Sequence, residues 1–472
     1  MGMEIVHIAS EFAPFAKAGG LGDVIQGLTR AQILNGHRVS VILPAYGGIH
    51  REPISHLALF LPALTANTRQ HQVVGRVWKG DVNGVALYLI EPFEPEPYFA
   101  GKELYGDLND PERFLAFNLL AAGLLPLLPQ RPTILHVHDW PTAMALRFAE
   151  LTLSPLPGTV LTIHNLAYQG WVPRERAEPF MPSKVELSCE GDANLLREGI
   201  LQANWLTTVS PTYAKQVLEP EWGMGLEGIL RKKHFVGILN GIDEQTWNPE
   251  TDPLLPHHFG HKTVFSQKQL LKTLLRKELA LSPSKKPMIC TITRLTEQKG
   301  LDLIEHMIHR TIEGRWQFVL LGISLDPAVQ SHFQALKERY AHNRDLYLHM
   351  RHDEELSHHV YAASDCIFIP SIFEPCGLTQ MIGMRYGTLP IARKTGGLGD
   401  SITDCSSEDG NGFLFCDPDT RAVDWAVERA VEVWNNAPKT WERVVHNAMR
   451  TKLGWSDSAK RYEEVYAKTL VK

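Results

Sequence analysis

Apolar residues in this chain gather in short continuous runs. Glu4–Ser10, Arg38–Ala45, Ile134–Trp140 and Thr159–Asn165 are rich in Val, Ile and Leu, and Val85–Glu91, Trp205–Ser210 and Val236–Asn240 are further strand candidates. Stretches with helical spacing lie between most of them, among them Leu21–Asn35, Pro111–Leu125 and Asn194–Ala203. Continuous apolar strands separated by helices predict a parallel sheet buried on both faces. Around Thr246–Lys262 the rhythm stops; Pro249, Pro253 and Pro256 mark an interdomain connection. It restarts with strands at Met288–Arg294, Gln317–Gly322, Asp345–His349, Cys366–Pro370, Leu389–Arg393 and Gly412–Cys416. Helices are expected at Gly300–Ile308, Pro327–Tyr340, Asp353–Ala363, Leu378–Tyr386, Arg421–Asn435 and Ser456–Thr469. The expected fold class is α/β, with two doubly wound domains, 1–245 and 246–455, a cleft between them, and a closing helical segment, 456–472.

Composition narrows the function classes. Lys plus Arg number 47 against 53 Asp plus Glu, a net charge of −6. That balance offers no general attraction to nucleic acid or to anionic lipid, so a bound phosphate must be held by locally placed donors. The N-terminus has no basic region followed by a long apolar one, and Leu115–Leu128 is interrupted by Asn118, Gly123 and Pro126. These features predict a cytoplasmic protein that does not engage membranes. Six cysteines form no CxxC pair. Cys290, Cys366, Cys405 and Cys416 lie in or beside apolar stretches, which predicts buried free thiols in a reducing compartment.

Four segments carry candidate chemistry. In Lys17-Ala18-Gly19-Gly20-Leu21 two glycines precede a helix, so the backbone can approach an anion closely beside the Lys17 charge. The sequence Ala-Gly-Gly-Leu-Gly-Asp of 18–23 returns as Thr-Gly-Gly-Leu-Gly-Asp at 395–400, either by chance reuse of a turn or as a second strand-end site. Arg294 ends a strand and Lys299 follows five residues on, a spacing suited to one diphosphate or to a solvated charged loop. Glu374 sits in a Pro/Gly turn, where it could accept from sugar hydroxyls; Gly377, Leu378 and Thr379 follow at a helix start. His136, His138 and Asp139 end one strand, and His164 and Asn165 end another. The two alternate histidines share a face, which suits sugar recognition, structural hydrogen bonds or a metal. His257-His258 and His358-His359 read as surface or linker residues. Gly223–Gly228 matches GxGxxG without a preceding strand, and Asp417-Pro418-Asp419 matches DxD but stands where a helix cap belongs.

Taken together, Lys17–Asp23, Ile134–Trp140, Thr162–Tyr168, Thr207–Tyr213, Gly223–Leu230, Leu239–Asp243, Thr293–Asp302, Pro370–Thr379 and Gly387–Asp400 resemble the bacterial glycogen synthase and plant starch synthase family. The resemblance implies a GT-B fold and retaining transfer of glucose from a nucleotide-diphosphate glucose to an α-glucan acceptor. ADP-glucose is the expected donor. No metal and no cofactor is implied. It places Lys17, Gly19 and Gly20 near the donor diphosphate, Arg294 and Lys299 as phosphate-binding cations, and Glu374 beside the donor sugar. Gly377, Leu378 and Thr379 would supply phosphate-binding amides. Asp139, His164 and Asn165 would line the glucose pocket, with Glu11 on the acceptor side and Asp23 on the donor side. The last helix is expected to return to the first domain. Where the family carries Gly-Tyr, whose ring stacks on the base, this chain has Arg351-His352. A smaller ring predicts relaxed base choice, with UDP-glucose as a second donor, unless a neighbour such as Tyr361 restores the platform. The alternative is another GT-B sugar-nucleotide transferase with a small acceptor.

Overall fold

The computed structural model describes residues 2–49 and 51–470; Met1, His50, Val471 and Lys472, the last two in the closing segment, lie outside the described residues. The backbone forms two compact units, Met1–Gly241 with Trp455–Lys472, and Ile242–Gly454. Among the described residues no helix is long and apolar enough to cross a membrane.

In the first unit the chain runs through β1 (Glu4–Ile8), β2 (Arg38–Pro44), β3 (Ser55–Asn67), β4 (Gln72–Val82), β5 (Val85–Glu94), β6 (Ile134–His138) and β7 (Gly158–Ile163). A short ribbon of β8 (Trp171–Val172) and β9 (Ala193–Asn194) precedes β10 (Trp205–Thr208) and β11 (His234–Gly237). The main sheet has the order β11-β10-β7-β6-β1-β2-β5-β4-β3. It is parallel from β11 to β5, and the core strands β1, β6 and β7 are buried almost throughout, as continuous apolar runs require. The antiparallel β3–β4 edge does not follow from those runs. β3 is mostly exposed and carries register shifts, so its pattern lacks the buried-strand signature.

Helix Trp455–Leu470 packs in this unit against helix Gly20–Leu34. Gly27 makes the approach possible, since a Cβ there would sit 1.9 Å from the Trp455 ring. Val24, Leu28, Tyr462, Val465 and Tyr466 close a core over Ile5, Ile134 and Val160.

In the second unit all six strands are parallel: β12 (Met288–Arg294), β13 (Gln317–Ile323), β14 (Leu346–His349), β15 (Cys366–Ile369), β16 (Leu389–Arg393) and β17 (Phe413–Phe415). Their order is β14-β13-β12-β15-β16-β17. Each sheet therefore reverses its winding direction beside its first strand, between β1 and β6 and between β12 and β15. Open α/β sheets bind ligands at the carboxyl ends of such strands.

The stretch read as a connection belongs to the second unit and is anchored in it. Asp252 is fully buried and accepts from His358 Nδ1 at 2.7 Å and from the Tyr386 hydroxyl at 2.5 Å. Trp247 stacks on His358 with ring centroids 4.2 Å apart. His358 is thus a buried clasp residue, contrary to its reading as a surface residue. Helix Val264–Glu278 follows and was not legible, because two lysines occupy its buried face. Lys272 pairs with Asp365 at 2.6 Å, and Lys268 donates to the carbonyls of Ala362 and Tyr386 and to Thr388.

All six cysteines are free thiols. Cys290, Cys366, Cys376 and Cys405 are buried, but Cys416 is exposed and Cys189 half-exposed, which corrects the expectation for Cys416. Cys416 lies just beyond β17, where the chain turns out toward helix Thr420–Asn436.

Candidate functional site

At the carboxyl edge of the first sheet, the loop after β1 folds around Glu11. Its buried carboxylate accepts from the amides of Ala18 at 2.8 Å and Gly19 at 2.9 Å, and from the Tyr105 hydroxyl at 2.9 Å. Two amides that the sequence offers to an anion are therefore turned inward onto a carboxylate. Lys17 is exposed and pairs with Asp23 at 2.9 Å, across the start of helix Gly20–Leu34, which no side chain caps.

The ends of β6 and β7 are tied together by Asp139. Its backbone adopts φ +55°, unusual for a residue with a Cβ and costly by ~1–3 kcal/mol. Its amide donates to the Thr162 carbonyl, and its Oδ1 accepts from His164 N at 2.6 Å and Asn165 N at 3.4 Å. Burial raises the Asp139 carboxyl to about 7, with the two amide bonds acting the other way. Asp139, His164 and Asn165 thus form one corner.

Behind that corner lies a buried histidine cluster. His7 of β1 pairs in register with His136 of β6, and His138 sits two residues on, so all three share a face. Candidate metal-ligating atoms of the three lie within 4.8 Å of one another. Every ring nitrogen already has a protein partner: His7 bonds His138 and Gln32, His138 bonds His164, and His136 bonds Tyr466 and Thr162. In this arrangement the ring nitrogens of His136 and His138 are spent on hydrogen bonds within the protein. His7, Gln32 and Tyr466 were missed; the legible signal for His7 was a histidine inside an apolar run adjacent to His136.

In the second unit three loops interlock at the sheet edge. The loop after β12 joins the loop after β15 through Ile372 N to the Gln298 carbonyl at 2.8 Å and Gln298 Nε2 to the Phe373 carbonyl at 3.2 Å. Lys299 Nζ meets Glu374 Oε2 at 2.6 Å, and the Ser371 hydroxyl donates to the same oxygen at 2.9 Å. The loop after β16 adds Gly397, whose amide donates to the Glu374 carbonyl at 3.0 Å. A Cβ at Gly397 would lie 2.1 Å from the Cys376 carbonyl oxygen, so the close approach needs glycine. The second Gly-Gly turn is thereby part of this strand-end edge. Gly377, at φ +74°, turns the chain into Leu378 and helix Thr379–Arg385, which no side chain caps. Arg294 is exposed at the end of β12. Lys299, Glu374, Gly377, Leu378 and Thr379 therefore share one edge with Arg294.

Residues 4–232 match the starch synthase catalytic domain family, and residues 275–448 match glycosyl transferases group 1. A glycogen synthase of Protochlamydia amoebophila is 39% identical, covering 98% of this chain and 99% of that protein. The chain belongs to the glycogen and starch synthase family. It is a glycosyltransferase. A probable starch synthase 4 of Arabidopsis thaliana is also 39% identical, over 99% of this chain and 47% of its own length. The catalytic domain of starch synthase IV from Arabidopsis thaliana, solved bound to ADP and acarbose, superposes with a TM-score of 0.94 at 39% identity, covering both chains fully. Sucrose-phosphate synthase from Thermosynechococcus elongatus shares the fold, with a TM-score of 0.65 at 16% identity. The fold is GT-B.

In this family member, Arg351 and His352 follow β14. Arg351 Nε lies 3.1 Å from His349 Nε2, and the His352 side chain is 76% exposed. Tyr361 cannot serve as a substitute platform, since it is buried against Trp247 and Tyr386. The DxD-like Asp419 accepts from Ala422 N at 2.9 Å and caps helix Thr420–Asn436. The GxGxxG segment follows a turn at Glu219–Gly223 and opens a four-residue helix, Glu227–Leu230.

Proposed function

We propose that this glycosyltransferase transfers glucose from ADP-glucose to the 4-hydroxyl at the non-reducing end of an α-1,4-glucan, with retention of configuration. The observation that carries the reading is the Lys299–Glu374 contact, set among three loops at the carboxyl edge of the second sheet. A sugar leaving a diphosphate needs fixed positive charge where the negative charge develops. Arg294 and Lys299 supply it, and the amides of Gly377, Leu378 and Thr379 add oriented dipoles. Glu374, aligned by Lys299 and Ser371, accepts from donor hydroxyls. On this reading the second unit holds the nucleotide sugar and the first serves the acceptor side.

In the first unit, Lys17, Gly19, Gly20 and Asp23 are assigned to the donor side, with Asp23 pairing with Lys17. Asp139, His164 and Asn165 recognise glucose hydroxyls. Glu11 acts by shaping the Gly-Gly turn, since its oxygens are taken by Ala18, Gly19 and Tyr105. The attacking hydroxyl approaches on the face the leaving group departs from, and the departing phosphate takes its proton. Neither a metal nor a cofactor enters this scheme. UDP-glucose is a second donor, because an exposed His352 offers a smaller surface for a purine than a tyrosine would.

The test is a panel of radiolabelled ADP-glucose and UDP-glucose with glycogen or fructose as acceptor. α-1,4-linked label in glycogen from ADP-glucose is expected. Label entering fructose alone would overturn the acceptor assignment.

A further inference from the structure

The buried histidines continue beyond the corner they support, as a single hydrogen-bonded chain. His164 Nε2 lies 3.1 Å from His138 Nδ1, and His138 Nε2 lies 3.0 Å from His7 Nδ1. His7 Nε2 lies 2.9 Å from the Gln32 carbonyl oxygen, Oε1. The Gln32 amide nitrogen donates to the Tyr466 hydroxyl at 2.9 Å, and that hydroxyl meets His136 Nδ1 at 2.8 Å. His136 Nε2 reaches Thr162 Oγ1 at 2.6 Å, which contacts Thr207 Oγ1 at 2.6 Å. His7, Gln32, His136, His138, Thr162, Thr207 and Tyr466 are all fully buried.

A neutral imidazole has one donor and one acceptor nitrogen, so a chain of them has a direction. Burial lowers His7 to about 4 and His164 to about 3, and holds His138 well below the ordinary range, so all three are neutral near pH 7. In this orientation of the amide the Gln32 oxygen faces His7 and accepts, so His7 carries its proton on Nε2. His7 Nδ1 is then bare and accepts from His138 Nε2–H. His138 Nδ1 is bare in turn and accepts from His164 Nε2–H. On the other side the Gln32 nitrogen can only donate, which turns the Tyr466 hydroxyl proton toward His136. One amide thus orients both arms.

We propose that Gln32 is a positioning residue that, through His7 and His138, holds His164 as the Nε2–H tautomer and leaves Nδ1 as a bare acceptor for a sugar hydroxyl. The functional half of this rests on His164 as a glucose-pocket residue. The tautomer half does not. The opposite tautomer would present an N–H donor at Nδ1, and a hydroxyl bound there would have to reverse its own hydrogen bond.

The deciding experiment uses the full chain with histidines labelled with nitrogen-15. A protonated ring nitrogen and a bare one resonate far apart, and single histidine variants assign His7, His138 and His164. The wild type should show each as Nε2–H. Gln32→Met removes both ends of the amide at similar volume, and His164 should become a mixture of tautomers. An unchanged single tautomer would overturn the proposal. If Gln32→Met does not fold, His7→Leu breaks the relay between Gln32 and His138, and persistence of one pure tautomer at His164 there would overturn it equally. In kinetics Gln32→Met should lower kcat/KM by up to about tenfold, the worth of one neutral hydrogen bond. In a His164→Ala background the same substitution should cost nothing further, whereas a merely structural role would add its full cost. If His164→Ala itself leaves kcat/KM intact, the substrate contact and the functional half fall, whatever the ring spectra show.

Discussion

Lys299 Nζ lies 2.6 Å from Glu374 Oε2, across loops that follow two adjacent strands of one sheet. The pair joins the strongest cation candidate to the carboxylate expected beside the donor sugar. Lys299→Ala and Arg294→Ala should each lower kcat by ~100-fold or more, the scale of losing one preorganised electrostatic donor. Steady-state assays on folded variants check this, and near-wild-type rates for both would remove the pair from the mechanism.

The Asp252–His358 clasp makes the stability of the second unit depend on pH. Burial disfavours the imidazolium, but the bonds to Asp252 and Glu354 outweigh it and raise His358 to about 9. A histidine raised in the folded state stabilises fully below its unfolded pKa, near 6.5, and loses that stabilisation as pH rises through 9. The loss across that window should approach ~3 kcal/mol, from about 1.4 kcal/mol per pKa unit. Urea midpoints measured at several pH values should fall over this range in the wild type and far less in His358→Phe. A parallel decline in both would show that the clasp is not the source.

Asp419 spends its side chain on the Ala422 amide. Asp419→Ala should therefore lower the urea midpoint, as loss of a helix cap does, while sparing kcat. Transfer should also continue in EDTA. Abolition by the chelator with rescue by a divalent ion would reassign this segment as a metal site.

On the proposed reading, Arg351 and His352 set the nucleotide preference. Wild type should use UDP-glucose at a measurable fraction of its ADP-glucose rate, and Arg351→Gly/His352→Tyr should raise the ADP-glucose preference through added stacking area. The comparison is kcat/KM for both donors in both proteins. Strict ADP-glucose dependence that the double variant leaves unaltered would refute it.

The parallel strands and the motif loops were legible because buried parallel strands are continuous apolar runs and strand-end glycine turns are rare in combination. The β3–β4 edge was not, since its residues are mostly exposed and carry no buried run. Helix Val264–Glu278 was hidden by Lys268 and Lys272, charged residues whose burial only a distant Asp365 and free carbonyls make tolerable. His358 looked like a surface residue because its partner Asp252 lies 106 positions away.

By itself the chain's order of residues determined the α/β class, the two sheets and the loops that carry Lys17, Asp139, His164, Arg294, Lys299 and Glu374. Those features are local: a strand, a turn and a helix start are written in adjacent residues. Tertiary structure alone decided which polar groups spend their bonds on each other. Glu11 turned inward onto the Ala18 and Gly19 amides, Gly397 reached the Glu374 carbonyl, and His7 joined His138 only when β1 lay beside β6. A buried polar atom must find a partner, and which partner it finds is set by strand order and packing, not by distance along the chain.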